Sequence, residues 1–146
     1  MSGSADSTIK RWSVESGECL GTLSGHKGRV CALAVDAESG LLFSSSADKS
    51  IKVWNLEKEK CVDTLSGHTD AVLCLLLLDR KKNVLLSGSA DKTIKVWNVS
   101  KSECVRTLHG HKGVVYTMIL SRKGQLISGS SDETIKIWNI DEYRLQ

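Results

Sequence analysis

The chain has 146 residues, with 20 Lys and Arg against 17 Asp and Glu for a net charge of +3. That balance is too mild, and the lysines too dispersed, to mark a nucleic-acid surface by charge alone. Five cysteines without a Cys-x-x-Cys pair exclude a fully paired disulfide framework and argue against a zinc site, and the run Leu75 to Leu78 is far too short to span a bilayer.

Taken in chain order, the predicted elements are all strands. Residues 1–23 read as the end of one strand followed by two more. Between 24 and 65 come Val30 to Val35, a second strand beginning at Leu41-Leu42-Phe43, a third in which Ile51, Val53 and Asn55 alternate with Lys52, Trp54 and Leu56, and a fourth from Cys61 to Leu65. Between 66 and 108 the same order returns as Val72 to Leu78, Val84 to Ser87, Thr93 to Val99 and Cys104 to Leu108. Residues 109–146 offer the first three strands again. Short runs rich in β-branched residues, bounded by Ser, Gly, Asp and Lys, are strands rather than helices. Ala47-Asp48-Lys49-Ser50 and Ala90-Asp91-Lys92-Thr93 form the tight turns between second and third strands, where an Asp side chain bonds its own backbone. Proline is absent, so the turns rely on Asp, Asn, Gly and Ser.

The order returns because the sequence does. Ser-Gly-Ser-Ala-Asp-Ser-Thr-Ile-Lys-Arg-Trp ends at Trp12, and close variants end at Trp54, Trp97 and Trp138, which stand 42, 43 and 41 residues apart. Gly25-His26, Gly67-His68 and Gly110-His111 interleave with them. A period of about 40–45 residues marks stacked supersecondary units that cannot bury their apolar faces alone.

Through the Gly-His pair, the Asp in the tight turn and the closing Trp, essentially the whole chain resembles the WD-repeat β-propeller family. One departure is that the eponymous Trp-Asp reads Trp12-Ser13, Trp54-Asn55, Trp97-Asn98 and Trp138-Asn139; Asn fills much of that hydrogen-bonding role without the charge. The resemblance implies an all-β fold, a partial β-propeller of four-stranded antiparallel WD-repeat blades: a partial repeat at 1–23, full repeats at 24–65 and 66–108, and at 109–146 a repeat without its fourth strand. Pairing an N-terminal fourth strand with the C-terminal three strands, as the family does, yields three finished blades, too few to close a ring. Two arrangements fit: the chain is part of a longer propeller, or chains associate through their open blade edges. On either account a lone monomer is expected to be poor.

Each full set of Ser, His and Asp resembles a nucleophilic triad. The sets are His26, Ser44 and Asp48 with Trp54, His68, Ser87 and Asp91 with Trp97, and His111, Ser128 and Asp132 with Trp138. In the WD-repeat family these residue types form a structural network, and a buried indole N–H needs an acceptor. Catalysis needs one site, whereas a blade-locking device is needed once per blade, so the chain is read as no enzyme, with no cofactor and no metal. The first repeat has Ser2, Asp6 and Trp12 without a His. His109, which replaces the Ser24 and Ser66 of the other repeats, is given no role.

The family resemblance further implies a scaffold for protein or peptide partners, gripped on the face of the Gly-His loops. By motif offset the rim of the channel should carry Arg29 and Cys31, Ala71 and Leu73, Val114 and Tyr116, with Ala47, Ala90 and Ser131 beside them and Val30, Val72 and Val115 turned into the blade packing. Lys27 and Lys112 flank this face. These positions vary between repeats whose frame is constant, while Lys10, Lys52, Lys95 and Lys136 repeat as one solvated row. Similar WD repeats occur in ubiquitin ligases and their substrate receptors, which makes substrate recruitment a second expectation, although no RING, F-box or coiled-coil segment accompanies them. Nucleic-acid binding through the dispersed basic surface is the alternative from another class. An odd cysteine count and a polar N-terminus point to the cytoplasm or nucleus rather than secretion, with the thiols buried as small hydrophobes.

Overall fold

The recurring phrase builds the same piece of backbone each time. In the computed structural model, which describes residues 1–79 and 84–140, every regular element but one is a strand. The first sheet contains β1 (Ser2–Gly3), β2 (Thr8–Trp12) and β3 (Cys19–Ser24). The second contains β4 (Val30–Asp36), β5 (Leu41–Ser46), β6 (Ser50–Asn55) and β7 (Lys60–Ser66), and the third β8 (Val72–Asp79), β9 (Val84–Ser89), β10 (Ile94–Asn98) and β11 (Glu103–Leu108). The fourth holds β12 (Val115–Leu120), β13 (Leu126–Ser130) and β14 (Ile135–Trp138). Each sheet is an antiparallel meander in sequence order, so the fold is all-β and built of WD-type blades, and its sheets do not close into a barrel. The exception is a 3-10 turn, Val99–Lys101, capped by the Asn98 side chain on the Lys101 N–H. It ends the third strand at Asn98, one residue before the expected Val99.

Successive sheets stack through their faces. β4 packs beside β8 and β8 beside β12, so the first strands of the blades are neighbours, and β1 lies against β4. Between the sheets lie three apolar clusters with one recipe. Ile9 and Leu23 of the first sheet meet Val30, Leu42 and Trp54 of the second. Phe43, Ile51, Val53 and Leu65 meet Val72, Leu85 and Trp97 of the third. Leu86, Ile94, Val96 and Leu108 meet Val115, Met118, Leu126 and Trp138 of the fourth. A strand buried on both faces loses the simple alternation of a half-exposed one, which is why Val53 and Trp54 are both buried.

Cys31 and Cys74 are half-buried, and Cys74 packs against the third apolar cluster as expected of a small hydrophobe. Cys19, Cys61 and Cys104 depart from expectation and are exposed; all five are free cysteines. The cause is a register shift in each pairing of third and fourth strands, between Arg11 and Trp12, Val53 and Trp54, and Val96 and Trp97. Leu20, Val62 and Val105 fall in the resulting bulges and are themselves exposed. The bulge resets the alternation of an outermost strand that already faces solvent, so neither set reaches the core.

Candidate functional site

Two features stand out on the loops that enter the blades: a polar network that repeats in the last three sheets, and a cavity whose walls change from blade to blade. The network starts at the tight turn. In the second sheet Lys49 donates its N–H to the Ser46 carbonyl and takes a left-handed φ of 72°, which closes the turn and leaves the Asp48 carboxylate facing back into the blade. One carboxylate oxygen accepts from the Ser50 hydroxyl at 2.6 Å and the Ser50 N–H at 3.0 Å. The other meets His26 Nδ1 at 2.8 Å and the Lys27 N–H at 2.9 Å.

From the histidine the chain of bonds runs inward. His26 Nε2 lies 2.7 Å from Ser44 Oγ, which accepts from Trp54 Nε1 at 2.7 Å. The third sheet repeats this with His68 to Asp91 at 2.6 Å, His68 to Ser87 at 2.7 Å and Trp97 to Ser87 at 2.7 Å. In the fourth, His111 meets Asp132 at 3.0 Å and Ser128 at 2.7 Å, and Trp138 meets Ser128 at 2.9 Å. The indole is a pure donor and the carboxylate a pure acceptor, so the protons order themselves: indole N–H to serine, serine O–H to Nε2, and Nδ1–H to carboxylate. This direction needs a neutral imidazole and leaves no group wanting. The serine has no hydroxyl lone pair aimed at solvent, since Ser44, Ser87 and Ser128 are fully buried.

The electrostatics agree. Burial pushes the Asp91 carboxyl up, but hydrogen bonds from Thr93, His68 and the Thr69 N–H bring it down to about 2. Asp48 is likewise burdened by burial and held well below the usual carboxylate range by Ser50, the Lys27 N–H and His26. Asp132 is held low by Thr134 first, then the Lys112 N–H and His111. Burial pushes His68 down more than Asp91 pulls it up. In the first sheet Trp12 still donates to Ser2 at 2.9 Å, and the Thr8 hydroxyl donates to Asp6 at 2.6 Å, with no histidine between them. Glycine before each histidine is a matter of space: a Cβ on Gly67 would stand 3.2 Å from Trp97 Cη2 with φ at 154°, a contact and a backbone that other residues resist.

The cavity lies beside the first strands. It measures about 340 Å³ and is lined by Arg29, Val30, Cys31, Leu73 and Tyr116. Arg29, Cys31, Leu73 and Tyr116 are four of the expected rim residues, brought together from three blades. Val30, expected to turn wholly into the packing, is buried in the first cluster yet also edges the cavity. The reason these side chains reach the rim is a second recurring bulge. The pairing of first and second strands skips from Val30 to Ala32, Val72 to Cys74 and Val115 to Thr117, so Cys31, Leu73 and Tyr116 are the unpaired extra residues. Bulges of this kind re-aim a side chain and occur often beside binding sites.

The other predicted residues take different places. The Ala47, Ala90 and Ser131 N–H groups donate to the carbonyls of Arg29, Ala71 and Val114, which ties the turn to the entering loop without lining the cavity. Ala71 and Val114 are half-buried, and Lys112 is exposed with its N–H on Asp132. Lys27 lies in a separate groove of about 200 Å³ with Lys52 and Asp48. His109, given no role from the sequence, lines the corresponding groove of the next blade, about 270 Å³, with Lys95 and Asp91. The lysine row is half-buried rather than fully solvated, with Lys52 and Lys95 donating to Thr64 and Thr107. Among the described residues no cluster of three or more His, Cys, Asp or Glu could hold a metal ion, and no helix is long and apolar enough to cross a membrane.

Comparison with known proteins gives the same frame. An uncharacterized WD repeat-containing protein of Schizosaccharomyces pombe is 52% identical over 42 residues, 29% of this chain and 11% of that protein. The chain therefore spans a small part of the relative's length, about one repeat of it. WD repeats indicate a protein-interaction scaffold, and proteins built from them are typically non-enzymatic. The family model described as WD domain, G-beta repeat matches residues 17–55, 59–98 and 102–139, most of the chain, and with the four antiparallel sheets and the thrice-repeated network it places the protein in the WD40 repeat family.

Proposed function

We propose that this chain is a non-enzymatic interaction module that grips a protein or peptide partner at the cavity of Arg29, Cys31, Leu73 and Tyr116. The observation that carries this reading is the contrast between the two features. In the last three sheets His, Ser, Asp and Trp repeat unchanged as the same lock, whereas one bulged position holds Cys31, Leu73 and Tyr116 in turn. A position re-aimed outward in every blade, and chemically different in each, suits a surface that discriminates between partners. Tyr116 is 59% exposed, Arg29 is exposed in the same cavity, and Lys27 and Lys112 are exposed on the Gly-His loops. Tyr and Arg are the residues most able to anchor an interface. Repetition of the network argues for a structural role of its serines over nucleophilic ones.

The test is selection of displayed random peptides on the immobilised protein, followed by affinity measurement on single variants. Tyr116→Ala and Arg29→Ala are expected to weaken the selected peptides about tenfold or more each, while Val62→Ala on an outer strand changes nothing. Peptides that bind both rim variants as tightly as the parent would place the interaction elsewhere.

A further inference from the structure

The fourth sheet presents a face that its counterparts bury. Ile135 is 75% exposed, Ile137 64% and Ile119 58%. At the same places in the repeat, Ile9 and Ile94 are 1% exposed, Ile51 0%, Val53 2% and Val96 0%. Ile127 and Gly129 complete the patch around an apolar hollow of about 250 Å³. Monomeric proteins seldom leave a contiguous patch of this kind without a partner.

The interior of the chain states what covers such a face. Three times an Ile of one sheet is closed by a Val, a Leu and the Trp of the next, with that Trp donating to a Ser of its own sheet. The opposite end carries the Trp of that recipe. Trp12 of the first sheet already donates to Ser2 at 2.9 Å, as Trp54, Trp97 and Trp138 do to their serines. It is the exposed member of the four, at 41%, because no sheet among the described residues presents an Ile face to it. Leu20 beside it on β3 is 54% exposed.

We propose that the protein self-associates head to tail, with Trp12 of one copy closing on the Ile119, Ile135 and Ile137 face of a second copy. The contact repeats the Trp-on-Ile packing found at each internal junction, so it requires no surface the chain does not already use. It is heterologous, joining two different faces. Two copies would align eight sheets, within the range of about 4–8 over which blades close.

The geometry dictates a test by complementation. Light scattering after size exclusion on the full chain should give two chains or more, against 15.9 kDa for one. Trp12→Ala and Ile137→Asp should each run as a single chain, because each removes one of the two faces. Mixed together they should form a one-to-one pair, since the first keeps the Ile face and the second keeps Trp12. Both side chains are exposed in the single chain, so folding is checked by an unchanged far-ultraviolet dichroism, and Ile119→Asp repeats the second arm from another position. A parent protein that stays a single chain at all concentrations overturns the proposal. So does a Trp12→Ala variant that still assembles, which would mean that two Ile faces meet or that strand edges pair instead.

Discussion

His68 is surrounded by groups that fix where its protons are. The Ser87 hydroxyl must donate to Nε2 because its oxygen already accepts from Trp97, and Nδ1–H must donate to Asp91. A second proton on the ring would face the serine's donor and force that hydroxyl to turn away, leaving it without an acceptor in a fully buried site. Burial also holds the ring below its ordinary value of 6.5. The sign of the consequence follows. An unfolded chain takes up the proton near pH 6.5 while the native ring resists it, so the unfolded state binds more protons and stability falls as the pH drops below that value. Asp91, at about 2 against 3.8 unfolded, adds a second loss as the pH falls through that interval. The expected melting curve is flat above neutrality and slopes downward from about pH 6.5 into acid. His68→Gln should melt lower at pH 7 but with a shallower slope between about pH 7 and 5. Equal slopes for the two proteins would show that this ring does not govern the acid limb.

Strands and turns were legible because the repeat wrote them three times. The Asp turns, the Gly-His loops and the Trp of each third strand kept their offsets, and four strands per repeat followed from apolar runs alone. Bulges were not legible, since a skipped residue leaves no mark in composition. They explain both why Cys61 faces solvent and why Tyr116 reaches the rim. The junctions between sheets were legible only in part, and one carries an irregularity. Gly3 and Gly88 let the next blade approach so closely that a Cβ on Gly88 would lie 2.8 Å from Val115 Cγ1 and 2.6 Å from Cys74 Sγ. At the matching place in β5 stands Ser45, fully buried, with a hydroxyl that has no hydrogen-bond partner among the described residues. A buried polar group left unpaired costs about 1–3 kcal/mol. Ser45→Ala keeps the Cβ that this junction already accommodates and removes the orphan oxygen. It should raise the urea midpoint at unchanged slope by about 1 kcal/mol or more of stability. A lower midpoint would mean that the hydroxyl is satisfied after all and stabilises the junction.

At the scale of the molecule, stability is a sum over junctions. Each sheet buries its apolar face only against its neighbours, so internal blades are closed on both sides and the terminal ones on one. Among the described residues Trp12 and the Ile135 and Ile137 face are the two unclosed sides. If a second copy closes them, folding and assembly share one equilibrium, and the melting temperature depends on protein concentration because the assembled state is favoured by mass action. Each tenfold rise in concentration is then worth about 1.4 kcal/mol per pair. With an unfolding entropy near 2.1 cal/mol/K per residue, that moves the midpoint by about 2–3 °C. Ile137→Asp should lower the midpoint and abolish its concentration dependence together, because the same face is responsible for both. Calorimetry over two decades of concentration reads the two effects at once. A midpoint that ignores concentration in the parent, or that keeps its dependence in Ile137→Asp, would separate stability from this face and leave the blades standing on their internal junctions alone.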